Sequence, residues 1–290
     1  MKIRKIVTTV LCSIMAINLV ACGAKNNDNS ESTENSASLE QVESKGEKEV
    51  DKEKKEVVVF AAASLTDVLE ELKGVFEKDH EKVNLTFNFD SSGTLKSQIL
   101  EGADCDLFVS AAQKQMNELD PENENYNGKV AIDNETRLDL LENKVCLVAS
   151  GENEKGIEKF EDLDSDKVGT IALGNEDVPV GQYSEEILEN LGIFDKIQSK
   201  ISYGSNVREV ASWVSEKTVD AGIIYATDAK AFDLNIISKA DDSMLDNKVI
   251  YPAALLKDAK NKEEAKDFLE FLKTDQASEI FEKAGFTPVK

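Results

Sequence analysis

From residue 57 onward the sequence predicts an α/β protein of two lobes. Each lobe is expected to be a mostly parallel sheet flanked by helices, with a ligand cleft between the lobes. Three observations predict this. Short continuous apolar runs alternate with stretches of helical periodicity, the pattern of strands buried on both faces. Two small hydroxyl-bearing loops each lie between such a strand and the helix that follows it. A second series of the same kind begins near residue 145, and the chain then closes with an extended run and two amphipathic helices.

The first strand is expected over Val57–Ala61 and the first helix over Thr66–Lys78, where Val68, Leu69, Leu72, Val75 and Phe76 fall on one face. Ser64 and Asp67, three residues apart, have the spacing of a capping box. A strand over Val83–Phe89, a helix over Leu95–Glu101, a strand over Asp106–Ser110 and a short helix over Gln113–Leu119 follow. The polar stretch Asp120–Lys144 interrupts the pattern. It resumes with a strand at Val145–Ala149, a helix at Ile157–Leu163 and a strand at Lys167–Leu173. Next come a helix at Gln182–Leu191, a short strand at Ile201–Tyr203, a helix at Val207–Glu216 capped by Asn206, and a strand at Val219–Tyr225. The run Val249–Leu256 and helices at Lys262–Lys273 and Gln276–Ala284 end the chain. The layout this suggests is a first lobe of 57–144 plus 250–290 and a second lobe of 145–249. Two chain crossings between them would form a hinge.

The residues before 57 read differently. Lys2, Arg4 and Lys5 precede an apolar segment from Ile6 to Val20, a secretory leader too short to span a bilayer. Leu19-Val20-Ala21-Cys22-Gly23 matches a bacterial lipobox, so residues 1–21 are expected to be removed and Cys22 to carry acyl chains such as palmitate. A multiply acylated Cys22 would anchor the chain to the membrane, at about 0.8 kcal/mol per buried methylene. Residues 24–56 are Asn, Ser, Glu and Lys with almost no large apolar side chains, the composition of a disordered tether. Its typical reach is about 30 Å at roughly 5–6 Å per square root of residue number.

The 290 residues carry a net charge of −23, with 57 acidic and 34 basic side chains. No basic patch is present, which excludes a nucleic-acid role. The single histidine, His80, falls in a polar Asp-His-Glu-Lys corner and reads as a solvated surface group. It closes the helix that Ser64 opens, about 20 Å away at about 1.5 Å per residue, so it cannot serve Ser64 as a general base. No His or Cys spacing suits a metal. No catalytic residue, metal site or cofactor is therefore expected. Cys105 and Cys146 adjoin apolar runs and read as two buried free thiols, with a disulfide as the alternative in this compartment.

The two hydroxyl-bearing loops are Ala62-Ala63-Ser64-Leu65-Thr66-Asp67 and Asp90-Ser91-Ser92-Gly93-Thr94. Both put small donors at the start of a helix, where unsatisfied N–H groups and the helix dipole favour an anion. In order along the chain, Phe60-Ala61-Ala62-Ala63-Ser64-Leu65-Thr66, Phe89-Asp90-Ser91-Ser92-Gly93-Thr94-Leu95, Asp177-Val178-Pro179-Val180-Gly181-Gln182-Tyr183 and Gly222-Ile223-Ile224-Tyr225-Ala226-Thr227-Asp228-Ala229 resemble four ligand-loop motifs of one family. These are the molybdate-binding proteins of ABC importers, type II solute-binding proteins. The likeness extends over residues 57–290 and implies the periplasmic-binding-protein type II fold.

The resemblance implies that Ser64 and Ser92 donate hydroxyl and backbone N–H bonds to the ligand. Val180 and Val207 would donate backbone N–H groups at helix starts, and Tyr225 its phenol. Val180 stands where the family usually has alanine, and only its N–H is required. Asp90 is expected to point away, toward solvent or a backbone N–H. The implied partners are a small oxyanion, an ABC permease with its ATPase subunit, and the membrane through the lipid on Cys22. The implied state is a lipid-anchored monomer outside the cell membrane.

Neutral donors suit such a ligand. Molybdate and tungstate near pH 7 are unprotonated dianions and offer only acceptors. Hydrogen bonds to a charged group contribute about 1.5–3 kcal/mol each, and roughly seven of them exceed the about 8–12 kcal/mol of micromolar-to-nanomolar binding. The excess leaves room for desolvation and closure. Phosphate carries a proton near pH 7 and calls for an acceptor, and sulfate must be excluded by size. Neither ligand nor donors titrate between pH 6 and 9, so affinity is expected to be flat there. The competing reading is a receptor for sulfate or for an organic or amino-acid carboxylate, the latter clamped by Arg208.

Overall fold

The computed structural model describes residues 54–126, 128–241 and 243–289. The leader, Cys22 and nearly all of the tether lie outside the described residues. Among the described residues, no helix is long and apolar enough to cross a membrane.

The first sheet is built from β1 (Lys55–Ala62), β2 (Val83–Asp90), β3 (Leu107–Val109), β4 (Leu138–Asn143), β10 (Val249–Leu255) and β11 (Thr287–Pro288), in the order β11-β4-β10-β3-β1-β2. The second contains β5 (Val145–Ala149), β6 (Ile171–Gly174), β7 (Ile201–Gly204), β8 (Ala221–Tyr225) and β9 (Ile236–Lys239), in the order β7-β6-β8-β5-β9. The chain passes from the first sheet to the second at Lys144, between β4 and β5, and returns between β9 and β10.

Both sheets are mixed rather than mostly parallel. Each keeps a parallel trio, β2-β1-β3 in one and β7-β6-β8 in the other. To these are added antiparallel strands, β10, β4 and β11 in the first and β5 and β9 in the second. Several of the antiparallel strands flank the crossings, where the chain arrives from the other sheet and not through a helical return.

Nine helices lie among the described residues: α1 (Thr66–Asp79), α2 (Ser92–Leu100), α3 (Gln113–Asn117), α4 (Pro179–Asn190), α5 (Phe194–Ile197), α6 (Val207–Ser215), α7 (Ala226–Ala231), α8 (Lys262–Phe271) and α9 (Asp275–Ala284). α1 buries Val68, Leu69, Leu72 and Phe76, the stripe its sequence predicts. Full burial of each such side chain is worth about 1.5–3 kcal/mol. The Phe76 ring also meets Phe268 of α8 edge-on at 5.1 Å.

Several local expectations differ from the structure. The helix expected at Ile157–Leu163 is only a 3-10 turn at Phe160–Asp164. The Asn153 side chain accepts from the Ile157 N–H at 2.9 Å and donates to its carbonyl at 2.7 Å, so the backbone of Ile157 is already committed. The strand expected at Lys167–Leu173 is confined to β6. Upstream, the Gly169 and Thr170 amides are held by the Asp220 carboxylate instead of a neighbouring strand. His80 is half-buried, its ring stacked on Phe76 at 3.9 Å between centroids, and so only partly solvated. Cys105 and Cys146 are both free and buried. Burial raises both thiols, Cys146 to about 12, so they are unreactive.

Candidate functional site

The strand-to-helix loops of the two lobes meet at the carboxyl ends of the parallel trios, where ligands sit in open α/β sheets. Gly93, in the first turn of α2, donates its amide to the carbonyl of Asp177, in the loop before α4, at 3.0 Å. Arg208, at the start of α6, donates through Nη1 to Asp67 Oδ2, at the start of α1, at 2.8 Å. Gln115 of α3 donates across to Gln182 of α4 at 3.3 Å. Two helix starts of the first lobe therefore face two of the second, and the lobes are closed on one another.

The capping of these helices leaves selected amides uncommitted. In α6, Asn206 caps as expected, its Oδ1 accepting from the Arg208 and Glu209 amides. That leaves the amide of Val207 at the first helical position. In α2, Ser91 accepts from the Thr94 amide and Gly93 bonds Asp177, which leaves the amide of Ser92. α4 starts with Pro179 and has no side-chain cap, so no capping side chain takes the first-turn amides of Val180 and Gly181. Gly181 permits this, because a Cβ there would lie 2.6 Å from the Gly174 carbonyl carbon, so α4 packs directly against the end of β6.

Ser64, Ser92, Val180, Val207 and Tyr225 are all buried, at 8, 0, 0, 4 and 1 % exposure. The hydroxyl of Ser92 accepts from the Ala111 amide at 2.9 Å. That bond occupies one lone pair and leaves the Ser92 hydrogen for another partner. The Tyr225 hydroxyl lies 3.5 Å from the Ala111 carbonyl, a long contact that leaves it free to turn. Ser64 does not cap α1. It sits in a 3-10 turn, Ala63–Leu65, and its hydroxyl is 2.9 Å from that of Tyr251 on β10. The Tyr251 ring in turn packs edge-on against Tyr225 at 5.7 Å. Ser64, Ser92 and Tyr225 are thus gathered around Ala111 and Tyr251. Val180 and Val207 start the two helices that face them. Asp90 turns back to accept from the Ser91 amide at 2.7 Å.

The site has partners that the sequence does not advertise. Tyr251, Asn143 and Thr227 form a buried hydrogen-bonded group beside Ser64. Asp228, 1 % exposed in the first turn of α7, has no hydrogen-bond partner for either carboxylate oxygen. Burial pushes its carboxyl up to about 7, with Arg208 pulling it back and Asp67 adding to the rise. Asp228 is neither ligand nor donor, but it places a group that titrates near pH 7 beside them. Burial also lifts the Tyr225 and Tyr251 phenols well above their ordinary value, so both remain neutral donors. Arg208 is engaged with Asp67, and its guanidinium lies over the Phe232 ring at 5.0 Å.

Two lobes that close over buried, uncharged donors define a binding protein for a small solute. The chain belongs to the bacterial extracellular solute-binding protein family, whose model matches residues 57–287. It is a solute-binding protein and not an enzyme. YvgL of Bacillus subtilis (strain 168), provisionally described as an ABC transporter substrate-binding lipoprotein, is 40% identical over 84% of this chain and 91% of its own. The molybdate-binding protein ModA of Haemophilus influenzae is 34% identical over 80% of this chain and 89% of its own. Among solved structures, the substrate-binding domain of a provisionally described molybdenum ABC transporter from Clostridium difficile is 36% identical. It covers 81% of this chain and 99% of its own, with a TM-score of 0.61.

Proposed function

We propose that this protein captures molybdate, and with it the nearly isosteric tungstate, outside the cell and delivers it to an ABC permease and its ATPase subunit. The chain works as a monomer held to the membrane by lipid on Cys22. The observation that carries the ligand reading is a buried cluster of neutral hydroxyls and helix-start amides drawn from both lobes. The Ser92 hydroxyl accepts from the Ala111 amide and keeps its own hydrogen, α4 has no side-chain cap, and the Asn206 cap of α6 takes the Arg208 and Glu209 amides and leaves that of Val207. A fully deprotonated tetrahedral dianion, which only accepts, is the matching ligand. The relatives named as molybdate-binding support the same choice. The lipid anchor is supported by the lipobox ending at Cys22 and by the description of YvgL.

Binding and closure are one event in this reading. Donors of both lobes bond the same anion, so the ligand stabilises the closed form by its differential affinity for it. Release to the permease requires the Gly93–Asp177 and Asp67–Arg208 contacts to part. A carboxylate receptor using Arg208 is less well supported, because Asp67 and Phe232 already engage its guanidinium. Calorimetric titration with molybdate, tungstate, sulfate, phosphate and acidic metabolites tests the proposal. Molybdate and tungstate should bind at micromolar levels or tighter, with sulfate and phosphate far weaker. Preference for sulfate or an organic acid would overturn it.

A further inference from the structure

Asn143 ends β4 at the crossing between the lobes and is 3 % exposed. Its Oδ1 accepts from the Lys144 amide at 2.8 Å. A backbone amide can only donate, so this bond fixes which side of the carboxamide is oxygen. The NH2 side therefore faces Thr227 and Tyr251, donating to Thr227 Oγ1 at 2.9 Å and to Tyr251 Oη at 3.1 Å. Both of its hydrogens are then used. Tyr251 Oη, already accepting from Asn143, has its own hydrogen left, and Ser64 Oγ is 2.9 Å away to receive it. Either oxygen of this pair can donate; with Tyr251 as the donor, Ser64 accepts and its own hydrogen points elsewhere.

We propose that Asn143 and Tyr251 are positioning residues that hold Ser64 as a hydrogen-bond donor, so that the site discriminates against oxyanions that carry a proton. This rests on the reading of the cleft as an oxyanion site and deepens it. Ser92 accepts from a backbone amide, a bond that no side-chain substitution removes. Ser64 is held by a relay of side chains, so its direction is open to change. A protonated anion brings a hydrogen that must find an acceptor. Where both serines turn their hydrogens toward the ligand, a proton on the anion faces a hydrogen and not a lone pair, and one of the two groups is left unpaired in a buried site.

The test compares molybdate with hydrogen phosphate at pH 8, where both are dianions and differ in the proton. Tyr251→Phe removes the hydrogen that fixes Ser64 while keeping the ring, and Asn143→Asp replaces two donor hydrogens with acceptor oxygens. In the second variant Tyr251 turns to donate to the new carboxylate and then accepts from Ser64, whose lone pairs face the ligand. The ratio of molybdate to phosphate affinity should fall about tenfold in Tyr251→Phe and about a hundredfold in Asn143→Asp, the range expected for losing or reversing one hydrogen bond to a charged ligand. General damage to the site weakens both anions in parallel and leaves the ratio unchanged; that result overturns the proposal. If the wild type prefers sulfate, the same ratio is read between sulfate and phosphate. Then the molybdate assignment falls while the relay is still decided. A wild type that binds no oxyanion at all removes both.

Discussion

The amide of Gly93 on α2 and the carbonyl of Asp177 before α4 are joined at 3.0 Å, a backbone bond between residues that belong to different lobes. Glycine is required there for space. A Cβ at position 93 would lie 2.8 Å from the Asp177 Cβ and 2.9 Å from its carbonyl carbon.

Gly93→Ala should therefore separate closure from folding. Alanine is favoured over glycine inside a helix by about 0.5–1 kcal/mol, so the thermal midpoint should hold or rise. Molybdate affinity should fall by about tenfold or more, because the favoured closed state is lost as an option. Calorimetry beside a melting curve checks both. Unchanged affinity would mean that the lobes need not approach this closely.

The Asp67–Arg208 pair also crosses the cleft, but it is exposed, at 62 % and 30 % for the two side chains. Exposed pairs contribute about 0.2–1 kcal/mol. Asp67→Asn should accordingly weaken ligand binding about two- to fivefold at low salt. The deficit should shrink at about 1 M salt, where the screening length is about 3 Å. A salt-independent deficit would place the effect in α1 and not in the pair.

Asp228 gives a pH signature with a definite sign. Its carboxyl is pushed up to about 7 when folded, against about 3.9 in an unfolded chain. The folded protein holds a proton that the unfolded chain releases. The resulting stability is complete below about pH 4 and is lost as pH rises through about 7. Asp228→Asn is neutral throughout. Its thermal midpoint relative to wild type should therefore climb between pH 5 and pH 8. A constant difference across that range would contradict the assignment.

Much of the fold was legible in the sequence, because its signals are local. The α1 stripe and the Asn206 cap each depend on neighbours within one turn. β4 was not legible. Leu138-Asp139-Leu140-Leu141-Glu142-Asn143 lies in a polar stretch, and it becomes a strand only by pairing with β10 and β11, more than a hundred residues away. The site divides in the same way. The loops that hold Ser64 and Ser92 announce themselves by strand-to-helix position, whereas Tyr251 reaches Ser64 from 187 residues further along. Ser64 has the spacing of a cap, and the capping-box expectation failed because a tertiary partner claimed its hydroxyl. Asp228 reads as an ordinary acidic residue in a first helical turn. Only packing reveals that both of its oxygens lack a partner.

The most direct test locates the metal. Crystals of the protein grown with molybdate, measured at the molybdenum absorption edge, should show one anomalous peak enclosed by Ser64, Ser92 and Tyr225 and by the starts of α4 and α6. Ser92→Ala should weaken the same binding by about 1–3 kcal/mol. A peak on the protein surface, or bonded to a lysine or arginine side chain, would contradict the account.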